Sequence, residues 1–157
     1  MPGRATGDLC QSCGLCCDGS LFGRGDLQPG EVEGARRNRL RVLPGAKGFE
    51  QPCSALANAG AGLRSCSVYD ERPLACRRFV CRLHERYREE GGLLEERIAV
   101  VRRVRWLVAR LEASGRTPAD LETAAHSDGP TTAEAEEDLR HYRELTRILE
   151  EDFARAP

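Results

Sequence analysis

Cysteine carries the chemistry open to this chain. Eight occur among 157 residues, at Cys10, Cys13, Cys16, Cys17, Cys53, Cys66, Cys76 and Cys81. The densest run is Cys10-Gln11-Ser12-Cys13-Gly14-Leu15-Cys16-Cys17. A Cys-x-x-Cys turn brings two thiolates to one side of a tight loop, close enough to share an ion or a cluster. Repeating the spacing adds Cys16 as a third sulfur around the same centre. Gly14 gives the backbone access to the positive φ that such a turn asks for. Three cysteines at this spacing with a remote fourth wrap cubane iron–sulfur clusters in bacterial ferredoxins. Structural zinc more often uses two separated Cys-x-x-Cys pairs. Adjacent side chains tend to point apart, so Cys16 and Cys17 are not expected to meet one small ion in the same way, which leaves one of them for a second site.

The redox setting decides between metal and disulfide. The first ten residues are polar and Gly-rich with no apolar stretch of the kind a secretory signal carries, so a reducing cytoplasmic setting is expected. No apolar run is long enough to span a bilayer. In that setting eight cysteines point to metal ligation or redox chemistry rather than four disulfides. A net charge of −1 and a pI near 6.3 argue against a dedicated nucleic-acid binder. Reduced, structurally idle cysteines are the plain alternative, since a free thiol behaves as a small hydrophobe; the repeated spacing speaks against it.

The second half of the cysteine set lies in Cys66-Ser67-Val68-Tyr69-Asp70-Glu71-Arg72-Pro73-Leu74-Ala75-Cys76-Arg77-Arg78-Phe79, with Cys81 two residues on and Cys53 upstream. Four thiolates around a divalent ion leave a net charge near −2. Arg72, Arg77 and Arg78 are placed to supply compensating donors, with Arg72 and Arg77 the expected partners of the sulfurs. Over residues 10–81 the sequence resembles the YkgJ-like cysteine-cluster family, whose signature joins CxxCxxCC, a spaced cysteine pair and Y-x-x-R-P-x-x-C-R. The resemblance implies a metal-chelating domain binding zinc or an iron–sulfur centre, with all eight cysteines as ligand candidates. A related flagellin lysine methylase implies that such a module can accompany group-transfer chemistry. The Ala/Gly-rich stretch between Cys53 and Cys66 departs from the pattern, and the chain after Gly91 lies outside it.

The elements that must position these sulfurs read as follows. The fold class is mainly α with irregular loops: a small metal-organised cysteine-rich module over 8–90 and a helical C-terminal extension over 93–155. Gly, Pro and polar residues make most of the chain up to Gly48 loop and turn, with one short helix over Glu31–Leu40. Val80, Leu83 and Tyr87 mark a helix from Arg77 to Glu90 that stops at Gly91-Gly92. Leu94, Ile98, Val101, Val104, Val108 and Leu111 form the apolar stripe of a long helix. Thr117-Pro118 opens a short helix to about Ala125, and Thr131 with Glu134 forms a capping box for a last one. That last helix presents Leu139, Tyr142, Leu145, Leu149 and Phe153 on one face.

Other chemistry-bearing residues have ordinary readings. The basic run Arg36 to Arg41 is a solvated face, and Arg24-Gly25-Asp26 is a chance tripeptide. Tyr69 and Phe79 are packing residues; His84 is a minor ligand candidate because it lies near Cys81, while His126 and His141 carry no role. The preferred centre is a [4Fe–4S] cluster on Cys10, Cys13 and Cys16 with one remote cysteine, in a protein with a redox or accessory role. The alternatives are a zinc-stabilised interaction module with two four-cysteine sites and part of a methylase-like enzyme. The last lacks any Gly-rich strand–turn–helix cofactor loop. The expected partners are a metal ion or cluster and a protein meeting the helical tail, without nucleic acid or membrane.

Overall fold

The computed structural model describes residues 9–60, 63–116, 118–126 and 132–153. The chain divides into two compact units, Met1–Ile98 and Ala99–Pro157. It is mainly helical, with short strand pairs confined to the first unit.

The first unit begins with a helical segment, α1, over 9–13, which Gly14 ends in the left-handed region at φ 71°. Strand β1 (Arg24–Asp26) pairs antiparallel with β2 (Gly48–Glu50), Gly25 opposite Phe49. The tripeptide read as chance in the sequence is this strand, and its glycine is required. A Cβ on Gly25 would lie 2.2 Å from the Phe49 ring, which is 1% exposed. A 3-10 turn (Pro29–Glu31) leads into α2 (Val32–Arg37). This helix is shorter than the expected span to Leu40, because Arg39 turns left-handed at φ 58°. Leu40 N–H then donates to Ala35 O and Arg39 N–H to Arg36 O, each at 2.9 Å, the double bond of a Schellman stop. The stop brings Leu40 back onto Ala35, and both join the core cluster with Leu27, Phe49 and Ala55.

Strands β3 (Leu56–Asn58) and β4 (Arg64–Cys66) form a second antiparallel pair, with Leu56 opposite Cys66. The sequence predicts no regular structure over residues 58–62; of these, Asn58 closes β3, and residues 61 and 62 lie outside the described residues. A 3-10 turn (Tyr69–Glu71) and Pro73 then lead into α3 (Leu74–Arg78) and α4 (Arg82–Glu90). The single helix expected from Arg77 to Glu90 is therefore broken. Phe79 and Cys81 are extended, and Cys81 becomes the N-cap of α4, its sulfur accepting from His84 N–H at 3.4 Å. Helix α5 (Leu94–Ala113) begins in this unit and continues into the second.

In the second unit α5 is followed by α6 (Pro118–His126), α7 (Ala133–Ile148) and one π turn (Leu149–Phe153). Val101, Val104, Leu107, Leu111, Leu121, Leu139, Ile148 and Phe153 are buried. Val101, Val104 and Leu111 of the expected stripe are buried as the spacing placed them, while Leu107 takes the core position expected of Val108, which is only half-buried. The cap of α7 is Thr132, whose Oγ1 accepts from Ala135 N–H at 3.2 Å, in place of the expected Thr131, which with Thr117 lies outside the described residues. Asp138, 4% exposed, accepts from Arg116 Nε at 3.0 Å, and Arg103 grips Glu144 through two bonds of 2.8 and 2.6 Å. No helix among the described residues is long and apolar enough to cross a membrane.

Candidate metal centre

All eight cysteines belong to the first unit. Cys10 and Cys13 stand three residues apart on α1 and so share one helix face. Buried Leu9 and Leu15 anchor the segment on either side. After Gly14 the chain turns tightly, with Cys17 and Asp18 N–H both donating to Gly14 O at 3.0 Å. Cys16 and Cys17 leave this turn in different company. The thiols that act on Cys16 are Cys13, Cys81, Cys17 and Cys10, in falling order, whereas those that act on Cys17 are Cys53, Cys76 and Cys66. Cys10, Cys13 and Cys81 are thus grouped around Cys16, and Cys53, Cys66 and Cys76 around Cys17, while Cys17 also acts on Cys16, so the two groups adjoin at this pair.

The loop set is Cys10, Cys13, Cys16 and Cys81. Cys13 is buried, Cys16 and Cys81 are half-buried, and Cys10 is exposed. The core set is Cys17, Cys53, Cys66 and Cys76. Cys53, Cys66 and Cys76 pack against the one apolar cluster of Leu27, Ala35, Leu40, Phe49 and Ala55. Cys17 is held to them through its carbonyl, which accepts from Cys53 N–H at 2.7 Å. Gln11 ties the sets together, its Oε1 accepting from Cys66 N–H at 3.4 Å.

The electrostatics of both sets are those of sulfur lacking counter-charge. Crowding by protein atoms, then repulsion from Cys81, pushes the Cys10 thiol up to about 11. Burial, then the neighbouring thiols of its set, drives Cys16 far above the ordinary thiol range. Burial, then Cys53, raises Cys17 to about 12; the same two causes raise Cys76 to about 11. Burial raises Cys53 as well, against backbone N–H donors from Ala55 and Leu56. A bound cation reverses both causes at once, replacing lost water and turning thiolate repulsion into shared attraction. The donor set therefore fits a thiophilic metal ion or cluster. Among the described residues no three His, Cys, Asp or Glu side chains stand at the closeness of an assembled ligand shell.

The Arg72 guanidinium lowers both Cys10 in the loop set and Cys76 in the core set. It is fixed by Nε donating to Tyr69 O at 2.7 Å and by lying 3.5 Å above the Tyr69 ring. Tyr69 is thus the platform for Arg72. Arg77 points elsewhere, its Nη2 standing 3.9 Å from Glu31 Oε1. Arg41, read in the sequence as part of a solvated run, pulls Cys53 down while donating to Pro52 O at 2.8 Å. Glu31 was missed: its Oε1 accepts from Leu74 N–H at 2.6 Å and holds the start of the helix bearing Cys76. Nothing local in the sequence marks these two, because both act across more than ten residues. Phe79 stacks edge-on against Phe22 at 4.9 Å, a packing role.

The family described as "CxxCxxCC: Putative zinc- or iron-chelating domain" matches residues 9–95. That is more than half of the chain, and the protein belongs to this family. No curated protein and no solved structure matches it.

Proposed function

We propose that this zinc- or iron-chelating protein is a two-centre thiolate module, with Cys10, Cys13, Cys16 and Cys81 holding one metal group and Cys17, Cys53, Cys66 and Cys76 the other. The loop set carries a [4Fe–4S] cluster in a redox or accessory role. The observation that carries this reading is the grouping of Cys53, Cys66 and Cys76 on one apolar cluster with Cys17 O accepting from Cys53 N–H, which leaves Cys10, Cys13, Cys16 and Cys81 as the other four. The Cys-x-x-Cys-x-x-Cys spacing of the loop set favours the cluster, whose bound form supplies one-electron transfer. The chain's own residues do the rest. Arg72 offsets negative charge on both sets, and His84 N–H at the first turn of α4 stabilises a charged Cys81 sulfur.

The even division into fours also favours a second reading, two zinc sites of four cysteines each in a structural module. Purification without oxygen, followed by iron, acid-labile sulfide and zinc analysis, separates the two. A brown protein absorbing near ~400 nm with iron and sulfide supports the cluster. A colourless protein with two zinc ions supports the second reading, and one without bound metal refutes both. Cys10→Ser and Cys13→Ser should each remove the loop-set metal and leave the core-set metal in place.

A further inference from the structure

The two sulfur sets are joined at both ends. One peptide bond links Cys16 to Cys17, and Cys81 follows Cys76 by five residues. Taken alone, the loop set must close the 65 residues between Cys16 and Cys81. The core set has more holding it in advance. Cys53, Cys66 and Cys76 share an apolar cluster, Cys17 is bonded to Cys53, and Cys66 sits in the β3–β4 ladder. Glu31 fixes the helix of Cys76. The loop set has an exposed member, Cys10, and draws its remote sulfur from the cap of α4.

From this arrangement we infer that the sets load in order: the core set first, as the folding centre, and the loop set second, as an open and exchangeable site that the first completes. The inference rests on the two-centre reading above. Once metal holds Cys17 and Cys76 together, the chain still to be closed between Cys16 and Cys81 falls to about six residues. Loop-closure probability scales as the −3/2 power of length, so the loop set gains affinity on the order of 30-fold. Coupling between two sites is reciprocal and sets no order by itself. The order comes from the packing that gathers the core set and from the exposure of Cys10.

The test uses the full chain stripped of metal and reloaded without oxygen by Zn2+, one equivalent at a time, whichever metal is native. At each step iodoacetamide labels the unprotected thiols, and peptide mass spectrometry locates the label. The first equivalent should protect Cys17, Cys53, Cys66 and Cys76; the second should protect Cys10, Cys13, Cys16 and Cys81. Protection of the loop set first, or of all eight in parallel, overturns the order while leaving two centres standing. Protection in any other grouping overturns the two-centre reading itself. Cys66→Ala adds a measure of the coupling: the loop set's Zn2+ dissociation constant should rise about 30-fold. An unchanged constant overturns the coupling, and the stepwise protection of the unmutated chain decides the order even where this variant does not fold.

Discussion

Metal binding by this protein should release protons in a number that the structure fixes. Cys17 is pushed up to about 12, Cys10 and Cys76 to about 11, and Cys16 and Cys53 are raised too. At about pH 7 these five thiols are neutral in the metal-free protein, while the form that binds metal is the thiolate. For Cys76, a value near 11 means that ionisation at neutral pH costs at most on the order of 5 kcal/mol. Since even an ordinary thiol holds its proton at neutral pH, a metal ion taking four sulfurs displaces about four protons, and its apparent affinity should change by roughly 10⁴-fold per pH unit. Lowering the pH by about half a unit from neutrality should weaken each site about 100-fold. The assay is calorimetric titration of Zn2+ into metal-free protein in two buffers of different ionisation heat, which counts protons directly. About eight protons for two zinc ions is the expected result. Two or fewer per ion would mean that the thiols ionise easily or are not the ligands, and the electrostatic reasoning would fall. The same shifts fix the sign of stability against pH. A thiol with a raised folded value keeps its proton in the native state after the unfolded chain has lost it. The metal-free module therefore keeps this contribution in full below about pH 9 and loses about 1.4 kcal/mol per pH unit per raised, half-buried thiol only up to that thiol's folded value, about 11 for Cys76. The metal-loaded module behaves in the opposite sense and weakens as pH falls.

Two predictions concern the scaffold. Gly25→Ala places a Cβ 2.2 Å from the Phe49 ring, so the β1–β2 pair must shift, at a cost of about 1–3 kcal/mol. Thermal melting of the metal-loaded variant checks it, and an unchanged midpoint would show that the ring yields freely. In the second unit, the Arg103 guanidinium bonded to Glu144 holds that carboxyl below its usual range. The pair's contribution is present above the unfolded carboxylate value and is lost as pH falls through the lowered folded one. Because both side chains are open to water it amounts to less than about 1 kcal/mol. Glu144→Gln should therefore lower the midpoint slightly at about pH 7 and not at about pH 3; an equal loss at both would assign the effect to packing.

Where the sequence failed, each failure has a geometric cause that bears on the site. The cysteine spacing made the loop set's local part legible, since Cys10, Cys13 and Cys16 lie on one turn and need no knowledge of the rest of the fold. The fourth member was not legible, because the periodicity of Val80, Leu83 and Tyr87 suits one continuous helix from Arg77. Continuous helix would have put Cys76 and Cys81 five residues apart on one rigid rod. The extended residues between α3 and α4 interrupt the helix and let Cys81 cap the second one; in the proposed two-centre reading Cys76 and Cys81 then belong to different sets. The same device operates at Cys16 and Cys17, where one peptide bond suffices because neighbouring side chains diverge. Arg77, one residue past Cys76, stands 3.9 Å from Glu31, a partner far off in the sequence that spacing does not show. Arg72, which lowers both Cys10 and Cys76, bears on both proposed sets at once, so its removal should weaken the two together.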